Sequence, residues 1–268
     1  MGVMKIRFLA VLLAFFPGWL LSPLQAQVVE LHPSGNTSVD TWTHLQKVRP
    51  GGLQDLSAGF GGFPGFGPWT GGVIYSDGNP EGAYIAKTAD GTGGGPFIAG
   101  SSLYFGGTNF EANVDGGKIS VVENTPLAGV ETIIFQIEIS GAYSHVFHNH
   151  QPPVLSITTD NGQYEIAGST FVSIVNSRSG YDPINAEDTT VNTYAFQWNL
   201  AGYTGLEGNV ISFSIIVNAV QHAQIYSMQL LQTDETQPYA VVPEASTACL
   251  FALAAWMVRF RVRRKGAG

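Results

Sequence analysis

Residues 130–140 read VETIIFQIEIS. Ile133, Phe135, Ile137 and Ile139 recur at every second position, and Gln136, Glu138 and Ser140 fall between them. A period of two places the apolar set on one face of an extended strand and the polar set on the other. The same pattern returns at 193–200 (TYAFQWNL), where Tyr194, Phe196, Trp198 and Leu200 share a side. It returns again at 210–217 (VISFSIIV), with Ile211, Phe213, Ile215 and Val217 set against Ser212 and Ser214. Residues 223–233 (AQIYSMQLLQT) alternate less cleanly.

Shorter strand candidates lie at 73–75, 84–87, 102–105, 110–114, 119–122, 155–159 and 171–175. Turn pairs punctuate them: Asp77-Gly78, Asp90-Gly91, Asp115-Gly116, Asn161-Gly162 and Glu207-Gly208-Asn209. No stretch between the two ends sustains apolar residues at i, i+3, i+4 and i+7. About a dozen short strands with polar outer faces and glycine-rich turns predict an all-β chain, an antiparallel β-sandwich or jelly-roll-like body.

The two ends have a different composition. Lys5 and Arg7 precede an apolar run at 8–21 (FLAVLLAFFPGWLL), and Ala26 offers a small residue before Gln27. This is the layout of a signal peptide over 1–26, cut by signal peptidase between Ala26 and Gln27. The run is shorter than the roughly 20 residues a spanning helix needs. The β-sandwich domain is then expected over 27–240.

At the other end, Pro243, Glu244 and Ala245 are followed by Ser246 and Thr247. An apolar segment at 248–258 (ACLFALAAWMV) comes next, and then the cluster Arg259, Arg261, Arg263, Arg264 and Lys265. The apolar segment reads as a short transmembrane helix, with its basic end on the cytoplasmic side. The only cysteine, Cys249, lies within it. The body therefore has no disulfide framework, no thiolate chemistry and no cysteine-ligated metal.

The order of motif, apolar helix and basic tail over 241–268 resembles the PEP-CTERM sorting signal of Gram-negative bacteria. Where that family usually has a second proline, this chain has Ala245. The resemblance implies cleavage near Pro243-Glu244 by a membrane-embedded exosortase. It also implies a destination at the cell surface or in an exopolysaccharide matrix, with anchoring to the inner membrane through the C-terminus before cleavage. It implies nothing about the body.

Seven of the 12 basic residues sit in the first seven and last ten positions. Residues 27–243 therefore hold five bases against 19 acids, a net of −14. Such a surface repels polyphosphate, so nucleic acid is not an expected partner.

Residues 50–72 (PGGLQDLSAGFGGFPGFGPWTGG) hold nine glycines, with Phe60, Phe63, Phe66 and Trp69 at every third position. One reading is a flexible loop that self-associates or stacks Phe63, Phe66 and Trp69 on sugar rings. Trp42 and Trp69 as an exposed row would serve the same end. The other reading is an irregular connection that folds its rings back over a sheet edge.

His145, His148 and His150 cluster in AYSHVFHNHQPPVL. An extended chain would put His148 and His150 on one face as metal ligands, against plain polar packing. His32, His44 and His222 are isolated and read as structural or surface residues. The acidic loops at 77–82 and 181–190 offer the oxygen ligands that structural Ca²⁺ takes, without EF-hand spacing; solvated turns are the plainer reading. No other cofactor is expected. Neither a G-x-S-x-G elbow nor a phosphate-binding glycine loop ending in Lys-Ser/Thr occurs.

The chain is thus expected to be an exported structural or adhesive surface protein without catalytic activity. A carbohydrate-binding module recognising polysaccharide is the alternative, and a glycan hydrolase using loop acids the third reading.

Overall fold

The computed structural model describes residues 28–238 apart from 63–64, 110, 142–144, 167–170 and 183–186. The expected signal peptide, the sorting motif, the apolar helix and the basic tail lie outside the described residues, as does Phe63. The described chain is all-β and forms two antiparallel sheets. Among the described residues, no helix is long and apolar enough to cross a membrane.

The strands are β1 (Thr37–Trp42), β2 (Ile74–Ser76), β3 (Asn79–Asp90), β4 (Phe97–Ala99), β5 (Ser102–Tyr104), β6 (Asp115–Glu123) and β7 (Thr132–Ser140). After them come β8 (Val154–Thr159), β9 (Gly162–Ile166), β10 (Phe171–Asp182), β11 (Glu187–Asn199), β12 (Val210–Val220) and β13 (Gln224–Thr233). The first sheet runs β10-β11-β7-β13-β5-β4, with β1 pairing β13 beyond β5 on the same edge. The second runs β2-β3-β6-β12-β8-β9. From β6 onward the chain changes sheet repeatedly: β6 second, β7 first, β8 and β9 second, β10 and β11 first, β12 second, β13 first.

The sheets share one core. Ile133, Phe135, Ile137 and Ile139 of β7 meet Ile119 and Val121 of β6, Leu155 and Ile157 of β8, and Phe213, Ile215 and Val217 of β12. Aromatic rings extend it, with Phe135 stacked on Phe196 and Phe196 on Trp198. The alternation read from 130–140, 193–200 and 213–217 therefore marks the inner faces.

The outer face of the first sheet departs from expectation, because its polar residues are buried. Gln136 is fully buried and Glu138 nearly so. Gln136 is covered by the chain's own N-terminal segment: its Nε2 donates to Val29 O (2.7 Å), and Val29 N donates to its Oε1 (3.0 Å). Leu31 packs on Ile134 and Leu231 beside it. Glu138 accepts Arg178 Nε at 2.6 Å and Ser227 Oγ at 3.0 Å.

The C-terminal segment crosses the same face. Gln197 Nε2 and Asn199 Nδ2 donate to Gln237 O (3.1 and 2.8 Å), and Gln237 Nε2 donates to Ser34 O (3.1 Å). Both ends of the body thus lie on one face of one sheet, where buried amides meet their backbone groups.

Two local expectations also change. Residues 111–114 form a turn rather than a strand, with Asn113 at φ 61°. Asp115 and Gly116 open β6 instead of making a turn. Asp77-Gly78 does close the β2–β3 hairpin, with Gly78 at φ 79°.

Candidate functional site

The glycine-rich segment is folded back and pinned. Trp69 is 6% exposed, its Nε1 donates to Pro96 O (3.0 Å), and Phe60 meets it edge-on at 5.5 Å. Trp42 is fully buried and donates to Ile74 O. Neither tryptophan can stack on a ligand, so the expectation that Trp69 or a Trp42–Trp69 row binds sugar is corrected. The bulky indoles contribute more by joining the core than by meeting water. Of the described rings of this segment, only Phe66 stays open, at 64% exposure.

A single cation holds this segment. The side chain of Lys87, on β3, is buried; its Nζ donates to Gly65 O (2.7 Å) and Gly94 O (2.8 Å) and pairs with Asp90 (2.7 Å). Asp90 in turn accepts Gly67 N at 2.8 Å. Desolvation pushes the Asp90 carboxyl up, but the Lys87 bond, the Gly67 bond and the Lys87 charge together hold it below its ordinary range.

The histidines do not form the expected pair of ligands. Residues His148–His150 make a single 3₁₀ turn with Asn149 and His150 at φ 55°, so the chain is not extended there. His148 Nδ1 lies 3.3 Å from Asn218 Nδ2, while His150 leans on His145 with ring centres 4.2 Å apart and the planes tilted by 39°. Burial, then the neighbouring His150 and His148, push the His145 pKa down. Among the described residues, no three or more His, Cys, Asp or Glu are gathered to hold a metal ion. His222 is buried in the β12–β13 turn, bonded to Tyr104 Oη through Nδ1 (2.7 Å) and to Asn109 O through Nε2 (2.8 Å).

Of the two acids in the 77–82 loop, Glu81 is exposed and Asp77 is turned inward. Asp77 pairs with buried Arg49, and its Oδ2 accepts Thr43 N (2.8 Å), Thr43 Oγ1 (2.7 Å) and a contact from His44 (3.0 Å). Desolvation raises the Asp77 pKa, but the Thr43 bonds, His44 and the Arg49 charge outweigh it and leave it lowered. Asp77 is thus committed to the fold and not to calcium. Residues 183–186 of the second acidic loop lie outside the described residues.

A concavity among the described residues lies at the end of the two sheets where β6 leaves and β12 enters. It encloses about 610 Å³ between the 124–131 loop and the 200–211 segment. Ile211 lies on this cleft. Its strand pairs Val210 with Thr159 and Ser212 with Thr158, so Ile211 is the extra residue of a β-bulge. The bulge turns it off the core face that Phe213, Ile215 and Val217 occupy, and it is 51% exposed. The sequence pattern had assigned Ile211 to the core, because alternation cannot reveal a bulge. A second depression of about 290 Å³ adjoins the first through Leu206 and carries Tyr164 and Tyr203.

The loops of this cleft are tied down. Leu200 N donates to Glu131 O (2.7 Å), and Leu127 N to Gln232 Oε1 (2.9 Å). Asn209 donates to Asp160 from both its backbone and its side chain (2.9 and 3.2 Å), while Thr159 Oγ1 donates to Glu207 O (2.7 Å). A preformed cleft of this size is what a small ligand needs. No family model, curated protein or solved structure matches the chain.

Proposed function

We propose that the chain is an exported surface or matrix protein whose body is a jelly-roll-like β-sandwich with a structural or adhesive, non-catalytic role. The observation that carries this reading is the ordered tail: Pro243-Glu244, the apolar 248–258 segment and the terminal basic cluster. The repeated change of sheet from β6 to β13 supports the jelly-roll reading of the body.

The ends of the body agree with processing on both sides. Val29 and Gln237, each hydrogen-bonded to the first sheet, lie inside the expected cuts after Ala26 and near Pro243. Both cuts would leave the pinned segments intact. Signal peptidase and exosortase are the partners this reading requires.

Carbohydrate binding is the second reading, and the exposed bulge residue Ile211 in a preformed cleft favours it over the aromatic loop. Protease shaving of intact cells of the native host tests the main reading. The protein should be lost from the cells on shaving while an inner-membrane marker survives. Protection of the body from protease in intact cells would refute it.

A further inference from the structure

We propose that the two adjoining depressions form one groove for an uncharged glycan chain, seated on Ile211 and on the rings of Tyr203 and Tyr164. This rests on the surface reading for the source of the glycan, and names what the body would hold there.

Three features carry it. First, the bulge at Ile211 holds a large aliphatic side chain at 51% exposure in a strand whose next three inward positions are buried. Bulges re-aim side chains beside binding sites, and Ile211 with the half-buried Tyr203 and Tyr164 gives the two adjoining depressions an apolar lining. Val210, Leu206 and Tyr203 rest against the core beneath and beside it. The lining is therefore backed by packed residues.

Second, the polar groups are those that meet hydroxyls. Asn124 lines the larger depression and Thr204 the smaller, beside Thr125 and Asn209, whose hydroxyl and amide nitrogen are bonded to Glu123 and Asp160. A pyranose ring presents apolar C–H faces edged by hydroxyls, and the groove interleaves apolar surface with amide and hydroxyl groups in the same way.

Third, the charge selects against acids. Neither depression is lined by Lys or Arg, and Glu131 and Glu165 stand on them. A uronate or phosphorylated polymer would approach these carboxylates, and a body of net −14, with no cation to offset them. The loops are already tied to the body, so binding costs little ordering.

Affinity gel electrophoresis of the full chain in mild detergent tests the proposal with glucomannan, xyloglucan and dextran as neutral probes and alginate as the acidic one. At least one neutral glycan should retard the chain and alginate should not. Ile211→Ser and Tyr203→Ala should each weaken that retardation about tenfold or more, as loss of a central anchor does. Phe66→Ala, remote from the groove, should leave it unchanged.

Ile211 is half-exposed, so its variant is expected to keep the parent's thermal midpoint; circular dichroism checks both variants. No retardation by any neutral probe would overturn the proposal, as would retardation unaltered by the Ile211 variant or seen with alginate alone. The gel does not depend on export or tail cleavage. A failed groove leaves the surface reading intact, and failed processing leaves groove binding measurable.

Discussion

Gln136 holds Val29 through both halves of its side-chain amide, donating to O at 2.7 Å and accepting from N at 3.0 Å across 107 residues of chain. A fully buried glutamine thus does for the N-terminal segment what a neighbouring strand would do. Gln136→Ala strips the partners from both backbone groups of Val29 and leaves a void. Val29 is half-buried, so each unmet group costs toward the low end of about 1–3 kcal/mol. The denaturation midpoint should fall by a corresponding amount, and amide exchange at Val29 and Leu31 should accelerate most. A variant that keeps slow exchange at Val29 would show that the segment is held some other way.

The inner faces were legible from the sequence because alternation is local. Ile133 to Ile139 and Phe213 to Val217 show their burial within one strand. The buried outer face was not legible, since Gln136 and Glu138 look like solvent-facing residues until Val29 and Arg178 reach them from distant positions. β1 (TSVDTW) carries too few apolar residues to announce a strand, yet it pairs β13 over its full length. For the candidate site, the triplet spacing of the aromatic residues points to Trp69, which is instead buried against Phe60 and bonded to Pro96 O, 27 positions later in the chain. The groove itself depends on a bulge at Ile211 and on the neighbouring loop, neither of which has a periodic signature.

Lys87 gives a second prediction. Lys87→Met removes the donor to Gly65 O and Gly94 O, so the glycine-rich segment should loosen while the sheets persist. A stability loss of about 2–3 kcal/mol is expected. New sites of limited proteolysis should appear between Ala58 and Gly72. Unchanged proteolysis would show that the segment is held by Trp69 and Phe60 alone.

Half-buried Arg178 pairs with buried Glu138 on the outer face, with the guanidinium 4.9 Å from the Tyr226 ring centre. Removing one partner of a buried pair costs about 3–5 kcal/mol, more than replacing both. Arg178→Met should therefore destabilise the chain more than the double variant Arg178→Met/Glu138→Leu. Chemical denaturation of the two variants checks the order, and a reversed order would mean that water reaches Glu138.

The pH dependence of stability should have two legs. His145 binds a proton less readily when folded, so its contribution is present above the free imidazole value of about 6.5 and is lost as pH falls through its lowered folded value. Asp77 and Asp90, also lowered, contribute above about pH 4 and lose that contribution as pH falls further. Thermal midpoints measured from pH 8 to pH 3 should decline in two stages, and His145→Gln should remove the upper one. A single acidic stage in the parent chain would contradict the assignment to His145.

Export and processing at both ends form the central claim, and intact mass tests it most directly. The protein should be recovered from surface and medium fractions of its native host, with and without the exosortase. With the enzyme present, a mature product beginning at Gln27 and ending near Pro243 is expected, and without it a species that keeps the basic tail. Retention of residues 244–268 in both strains would contradict the claim and leave the body a membrane-anchored protein outside the matrix.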